Sequence, residues 1–139
     1  MTYAQRKLET QLCFPFYAVS RLITRAYQDD LDALGITYPQ YLVMMVLWEN
    51  DGVTVNEIAE KLILNTNTIT PLLKRMETMG LLQRTQSKTD QRKVIVSLTD
   101  SGLAMEKLNV DTSEQSIQEM IGLKNKLYDL IKLLETIEK

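Results

Sequence analysis

Apolar side chains recur at helical spacing from the beginning of the chain. The residues that share this first stripe are Leu8, Leu12, Phe16, Val19, Leu22, Ile23 and Ala26. The spacing predicts a long first helix that runs to about Leu34 and stops at Gly35. Because proline is tolerated in the first turn of a helix, Pro15 places the well-formed start near Cys13. A second helix is expected to open at Thr37–Pro39 and to end at Asn50–Gly52.

The middle of the chain has the pattern of two short helices followed by a hairpin. Thr54 introduces a helix with Ile58, Ala59 and Leu62 on its inner face, and a second helix places Ile69, Leu72, Leu73, Met76 and Met79 inward until Gly80 closes it. Pro71 leaves the start of this second helix open between a cap at Asn65 and a first turn at Thr70. Residues 81–85 and 93–98 then read as two strands. The pattern predicts a mainly α-helical fold with a small β-wing, a winged helix-turn-helix.

Two more helices are predicted after the hairpin. Thr99–Ser101 caps a helix that should run to about Met120, and a last helix carries the stripe Leu123, Leu127, Leu130, Ile131, Leu134 and Ile137. Terminal helices this apolar are expected to pack against a second copy of the chain. From the chain length we expect residues 1–139 to form one domain, with dimerisation helices at about 1–36 and 100–139 and the winged helix-turn-helix region at about 37–99.

Composition excludes several kinds of chemistry. The chain has 139 residues, no histidine and one cysteine, so it lacks a zinc cluster, a histidine-dependent triad and an intrachain disulfide. We expect no catalytic residues, no metal and no cofactor, and hence no enzyme. The longest apolar run, Leu42–Trp48, is too short to cross a bilayer, and the first residues lack an apolar signal core. A cytoplasmic protein without a membrane partner is expected.

The charge is unevenly distributed. The net charge is −2, but residues 65–98 hold six basic and two acidic side chains, which leaves −6 on the rest. Small polar side chains at the start of the second short helix can enter a major groove, and a basic helix with a basic hairpin favours DNA. The candidates are Asn65, Thr66, Asn67, Thr68, Thr70, Lys74 and Arg75 on the helix, and Arg84, Lys88, Asp90, Arg92 and Lys93 on the wing. The alternatives are helix capping for the Asn and Thr residues and a surface ion pair for Asp90 and Arg92.

Several segments resemble a known family. The stretches Leu72–Glu77, Gly80–Leu82, Asp90–Lys93 and Val96–Thr99 resemble the MarR family of bacterial transcription regulators. Gln11–Phe14, Tyr17, Thr37–Tyr41, Leu47–Trp48 and Thr70–Glu77 further resemble its single-cysteine organic hydroperoxide repressors. The resemblance implies an obligate homodimer that binds pseudo-palindromic double-stranded operator DNA and releases it when the N-terminal cysteine is oxidised.

Cys13 is the candidate redox sensor. Near the positive end of a helix its thiolate is favoured, although a lone cysteine is more often a buried apolar residue. Tyr17 lies one turn away, whereas Tyr27 lies about 21 Å along the axis and could face Cys13 only across a dimer with antiparallel first helices. The resemblance assigns Tyr27 and Tyr38 to hydrogen bonds with the sulfur across that interface. Packing in the dimer core is the alternative role of these tyrosines.

The proposed switch uses a small-molecule oxidant and a low-molecular-weight thiol. A hydroperoxide would oxidise Cys13 to sulfenic acid, which a small thiol would trap as a mixed disulfide unless over-oxidation came first. Three alternatives remain open at this stage. They are a reversible phenolic ligand in the dimer cleft, a thiol peroxidase, and a dimeric adaptor that has lost DNA binding.

Overall fold

The computed structural model describes residues 7, 8, 11–108 and 114–137, and of residues 114–121 and 137 only the helical backbone. In chain order these residues form α1 (Cys13–Ala26), α2 (Gln28–Leu34), α3 (Tyr38–Glu49), β1 (Val53–Thr54), α4 (Val55–Leu62), α5 (Thr66–Thr78), β2 (Leu82–Gln86), β3 (Val94–Leu98), α6 (Asp100–Met105) and α7 (Glu114–Ile137). Helices α4 and α5 form a helix-turn-helix, and β2 and β3 form the hairpin after it. The predicted winged helix-turn-helix is confirmed.

The strands form one antiparallel sheet in the order β1, β3, β2. β3 is central: Val96 pairs with Val53 of β1 on one side and with Arg84 of β2 on the other. The sequence predicted β2 and β3 to within one residue but did not predict β1, which has only two residues. The sheet packs against the helices over fully buried side chains, the largest being Leu31, Met44, Leu47, Ile58, Ile69, Leu73, Met76, Leu82, Val43 and Val96.

The inner faces of α4 and α5 are nearly as predicted. Ile58 and Ala59 are buried on α4, and Ile69, Leu72, Leu73 and Met76 are buried on α5. Met79 was predicted to point inward but is only partly covered: it is 44% exposed, while its sulfur accepts a hydrogen bond from the side-chain amide of buried Gln40 at 3.7 Å. Since α5 ends at Thr78 and Met79 is its C-cap, the side chain no longer follows the buried stripe. The core thus ends one turn earlier than the periodicity suggested.

The predicted first helix is broken at Tyr27. The Tyr27 N–H donates to the carbonyl of Thr24, three residues back at 3.1 Å, and α2 begins at the next residue. The two halves have different neighbours, because α1 buries no residue whereas Leu31 of α2 is buried in the core. Apolar spacing along the chain does not reveal such a change of packing partner. Gly35 closes α2 as predicted, with φ of 74°.

The predicted helix from about residue 100 to Met120 is also wrong. Helix α6 ends at Met105, and the next three amides bond three residues back instead of four, ending with Leu108 N–H to Met105 O at 3.0 Å. α7 begins at Glu114 and continues through Leu123, where a separate last helix was expected. Gly102 is buried and Met105 packs on the core, but Leu103 and Leu108 are exposed, so the apolar contacts of α6 end with Met105 among the described residues.

Large apolar side chains on the terminal helices are uncovered in the single chain. On α1 they are Phe14, Phe16, Tyr17, Val19 and Leu22, and on α7 they include Leu123, Tyr128, Ile131, Leu133 and Leu134. Exposed apolar area of this extent marks an interaction surface in soluble proteins. None of the helices described in the structure is long and apolar enough to span a membrane.

Candidate DNA-binding surface and cysteine site

The turn between α4 and α5 fixes where the candidate recognition helix begins. Asn65 is its N-cap, and the Asn65 Oδ1 accepts hydrogen bonds from the N–H of Thr68 at 3.0 Å and from its hydroxyl at 3.1 Å. α5 therefore starts at Thr66, and Pro71 lies inside it rather than in its first turn. The sequence left the start of α5 open between a cap at Asn65 and a first turn at Thr70, and the structure has the cap at Asn65. The capping role assigned to Asn65 as an alternative is present in the structure.

Helix α5 packs with its apolar face buried, so its polar face is exposed to solvent. Asn65, Thr66, Asn67 and Thr68 are exposed at its N-terminal end, and Thr70 is half-buried. Lys74 and Arg75 are exposed further along the helix. The helix thus presents short polar side chains first and cations behind them. This is the arrangement that suits base edges at the helix tip and phosphates beside it.

The tip of the wing is ordered by hydrogen bonds within its own loop. The Ser87 N–H donates to the Lys93 carbonyl at 2.8 Å, and the Gln86 side-chain amide donates to the Gln91 carbonyl at 2.6 Å. Asp90 Oδ1 accepts from the N–H of Arg92 at 3.0 Å and from its Nε at 3.3 Å. The Arg92 side chain is nevertheless 91% exposed. The predicted carboxylate contact therefore orients a guanidinium that remains open to solvent, with exposed Lys88 and Lys93 beside it.

Arg84 differs from the other basic wing residues. Its N–H donates to Glu77 Oε2 at 2.7 Å, and its Nη2 forms an ion pair with Glu77 Oε1 at 3.2 Å. These bonds from the Arg84 backbone and side chain hold the pKa of the Glu77 carboxyl below its usual value. The Arg84 guanidinium is thus bound to α5 rather than projecting freely, which the sequence did not indicate.

Cys13 is the first residue of α1 and is exposed. Tyr17, one turn later, is 61% exposed. Between Phe14 and Arg25 the outer face of α1 forms an open apolar groove of about 270 Å³, lined by Phe14, Tyr17, Ala18, Arg21, Leu22 and Arg25. The alternative that Cys13 is a buried apolar residue does not hold within one chain.

Tyr27 and Tyr38 lie together at the other end of α1. Their ring centroids are 5.8 Å apart, and Tyr38 is 6.4 Å from Tyr41. Burial raises the pKa of the Tyr38 hydroxyl, and Tyr27 and Tyr41 add to this shift. Because the 14 residues of α1 span about 20 Å, these tyrosines are remote from Cys13 in the same chain. The structure thus places Tyr17 one turn from Cys13 on the same helix, and Tyr27 beside Tyr38 at the other end of that helix.

Contacts at the two ends of α3 hold Tyr38 and its neighbours in place. Thr37 and Gln40 form a capping box at the start of α3, in which Gln40 Oε1 accepts the Thr37 N–H at 2.9 Å. At the far end of α3, Trp48 packs edge-on against Tyr41 and donates from Nε1 to the Gly102 carbonyl at 2.9 Å. Nothing in the sequence indicated this link, because it joins residues 54 positions apart. Among the described residues, no group of three or more possible ligands is placed to hold a metal ion.

Comparisons with known proteins agree on the type of protein. The family profile described as "Transcriptional regulator SarA/Rot" matches residues 25–109. The organic hydroperoxide resistance transcriptional regulator of Bacillus subtilis (strain 168) is 45% identical, with 92% of each chain covered. These proteins are regulators and not enzymes, which confirms that expectation for this chain.

Solved structures extend the likeness to the whole chain. Reduced AbfR bound to DNA superposes with a TM-score of 0.84 at 36% identity and covers 100% of both chains. A disulfide form of AbfR gives a TM-score of 0.65 at 38% identity over 99% of this chain and 97% of that one. AbfR is a protein of Staphylococcus epidermidis. The chain belongs to the MarR-type transcriptional regulators, in the group that contains the organic hydroperoxide resistance regulators.

Proposed function

We propose that this protein is a dimeric, cytoplasmic repressor that releases operator DNA when an organic hydroperoxide oxidises Cys13. The observation that carries the proposal is the exposed thiol at the start of α1, a helix whose apolar face is uncovered. A sensor on this helix would lie at the dimer interface. Oxidation there could change the distance between the two recognition helices.

The DNA contacts follow from the exposed faces of α5 and the wing. Residues 37–99 bind double-stranded pseudo-palindromic DNA, with the polar tip of α5 in the major groove and Lys74 and Arg75 at phosphates. Arg92, oriented by Asp90, enters the adjacent minor groove, and Lys88 and Lys93 contact the backbone. Residues 65, 66, 67, 68 and 70 are the proposed base-contacting positions.

The dimer completes the sensing site. Residues of about 1–36 and 100–139 form the interface, in which the two α1 helices run antiparallel about Ser20. Residue 13 of one chain then faces residue 27 of the other. The neighbouring rings of Tyr27 and Tyr38 would bring two phenol hydroxyls to the Cys13 sulfur of the second copy, while Tyr17 lies beside it on the same helix.

The chemistry needs only the thiol, the hydroperoxide and a small thiol. The Cys13 thiolate attacks one peroxide oxygen, an S–O bond forms, the O–O bond breaks, and the alcohol leaves after taking up a proton. A low-molecular-weight thiol then attacks the sulfenic sulfur, an S–S bond forms, and water leaves. Since the chain has one cysteine, no intrachain disulfide can replace this mixed disulfide.

Gel-shift titration of reduced protein tests the proposal. The probe is a duplex selected from a random DNA pool by the reduced wild-type protein, and the oxidant is cumene hydroperoxide. We expect peroxide to release wild type and to leave Cys13→Ser bound, with mass spectrometry showing the adduct on Cys13. Release of both proteins would exclude the cysteine switch, and failure to select any duplex would exclude DNA binding itself.

A reversible phenolic ligand is the second candidate effector. It is favoured by the apolar groove on α1, where Arg21 and Arg25 lie beside Phe14, Tyr17 and Leu22. Thermal shift of the reduced Cys13→Ser variant with phenolic ligands tests it. Stabilisation together with DNA release would support this effector, and the absence of both effects would leave oxidation as the signal.

A further inference from the structure

The last turn of α5 is joined to the wing by one carboxylate. Glu77 lies on α5 and Arg84 lies seven residues later in the middle of β2. One carboxylate oxygen accepts the Arg84 N–H at 2.7 Å, and the other accepts from Nη2 at 3.2 Å. Two bonds to two different oxygens restrict both the distance and the rotation between helix and strand.

The Arg84 N–H that donates to Glu77 lies on the open edge of the sheet. β2 is an outer strand, because the order is β1, β3, β2, and the neighbouring strand β3 lies on one side only. An outer strand has unpaired N–H groups along its open edge. Glu77 accepts one of them, so a side chain of the recognition helix occupies the place that another strand would take.

The Arg84 guanidinium is withdrawn from the surface that faces DNA. Its side chain is 24% exposed, against 91% for Arg92, and its Nε atom is buried. A cation that neutralises a phosphate must reach it directly, as the exposed Arg92 and Lys88 can. Arg84 therefore differs from these residues in what it can contact, although the sequence places all three in the same basic stretch.

We propose that Glu77 and Arg84 are positioning residues that set the angle between the recognition helix and the wing, and that Arg84 is not a phosphate ligand. With this angle fixed, α5 and Arg92 reach the major groove and the adjacent minor groove together. The inference rests on the proposed DNA-binding function. It replaces the direct DNA contact that the sequence predicted for Arg84.

Salt dependence separates positioning from phosphate binding. Removal of one cation that neutralises a phosphate lowers the slope of log K against log salt by about 0.9, whereas removal of a positioning residue lowers the affinity and leaves the slope unchanged. The variants are Glu77→Gln and Arg84→Met, with Lys88→Gln as the control for a cation at a phosphate. Binding of the reduced proteins to the selected duplex is measured from about 50 to 200 mM salt.

We expect Glu77→Gln and Arg84→Met each to lose about tenfold in affinity with the wild-type slope. Lys88→Gln should lower the slope by about one. In hydroxyl-radical footprints, Glu77→Gln should lose the minor-groove protection and retain the protection beneath α5. A fall in slope for Arg84→Met equal to that of Lys88→Gln would show that Arg84 contacts a phosphate, and unchanged affinity in both variants would equally overturn the proposal.

Hydrogen exchange of the free protein keeps the test independent of DNA. Loss of the carboxylate in Glu77→Gln should speed exchange of the Arg84 amide and of the wing, while the amides in the core of α3 remain protected. Uniform acceleration would mean general destabilisation rather than release of the wing from α5, and no change would mean that the charge of the Glu77 carboxylate is not what holds the wing. If the wild type selects no duplex, the proposed function fails, while the exchange result still decides whether helix and wing are joined.

Discussion

Replacing Gly102 by alanine should destabilise the protein, whereas the same change at Gly122 should stabilise it. A Cβ at Gly102 would overlap the carbonyl oxygen of Leu81 and lie 3.1 Å from Cδ2 of Leu98. The Leu81 carbonyl is held in place because it also accepts the Thr99 N–H at 3.2 Å. A Cβ at Gly122, in α7, meets no atom within 4 Å.

Both substitutions gain helix propensity, but only Gly102→Ala also introduces a steric overlap. Gly to Ala inside a helix gains about 1 kcal/mol from helix propensity, and Gly122→Ala should show this gain alone. At Gly102 the overlap forces α6 away from Leu81, at a cost of about 1–3 kcal/mol or more. The shift also weakens the hydrogen bond from Trp48 to the Gly102 carbonyl, worth about 1 kcal/mol. The net loss for Gly102→Ala is about 2 kcal/mol.

Urea unfolding at one fixed protein concentration measures both effects, since the stability of the proposed dimer would depend on concentration. Trp48 is the only tryptophan, so its emission reports directly on the contact with Gly102. We expect altered emission in Gly102→Ala and wild-type emission in Gly122→Ala. If Gly102→Ala is as stable as Gly122→Ala, α6 does not press against Leu81 and the reasoning fails.

Three further changes test the helix ends and the half-buried tyrosines Tyr38 and Tyr41. Ile63 closes α4 with φ of 56°, so Ile63→Gly should stabilise by about 0.5–1 kcal/mol in urea unfolding, and a loss would show that its 68% exposed side chain is needed for stability. Asn65→Ala removes the cap of α5 and should cost about 1 kcal/mol, and an unchanged midpoint would argue against that cap. Burial raises the pKa of Tyr38 and Tyr41 in the folded state, so the unfolded chain loses its phenol protons first. The free energy of unfolding should therefore be maintained up to about pH 10 and fall above it. The fall should be less steep in Tyr38→Phe than in wild type. An equal fall in both proteins would exclude Tyr38 as its source.

Features set by near neighbours in the chain could be predicted from the sequence. The cap at Thr54 and the stop at Gly80 depend on bonds within a few residues, and they placed the start of α4 and the end of α5, whereas the start of α5 was left open between Asn65 and Thr70. The break at Tyr27 could not be predicted, because it reflects which partner each half of the helix packs against. The two-residue β1 exists only through its pairing with β3, more than 40 positions away.

The candidate DNA-binding surface likewise contains one contact between near neighbours, which the sequence predicted, and one contact that forms only on folding, which it did not. Asp90 orients Arg92 across two positions, and this spacing was enough to predict the contact. Arg84 looked equivalent to Arg92 because both are cations in one basic stretch. What separates them is Glu77, which reaches Arg84 only once β2 has folded against the end of α5. Charge along the chain therefore predicts where the candidate surface lies but not the role of each cation within it.

In the proposed function, the positions of Cys13 and the tyrosines leave each chain with only part of the sensing site. Cys13 begins α1, and Tyr27 and Tyr38 lie together beyond its other end. The length of α1, about 20 Å, separates them, so no side-chain rotation can bring the phenol of Tyr27 or Tyr38 to the thiol of the same chain. Since α1 buries no residue, its apolar face remains available to a second copy, and an antiparallel pairing would place each thiol beside the other chain's tyrosines. Peroxide reactivity of Cys13 should therefore depend on dimerisation, even though every residue of the site is encoded in one chain.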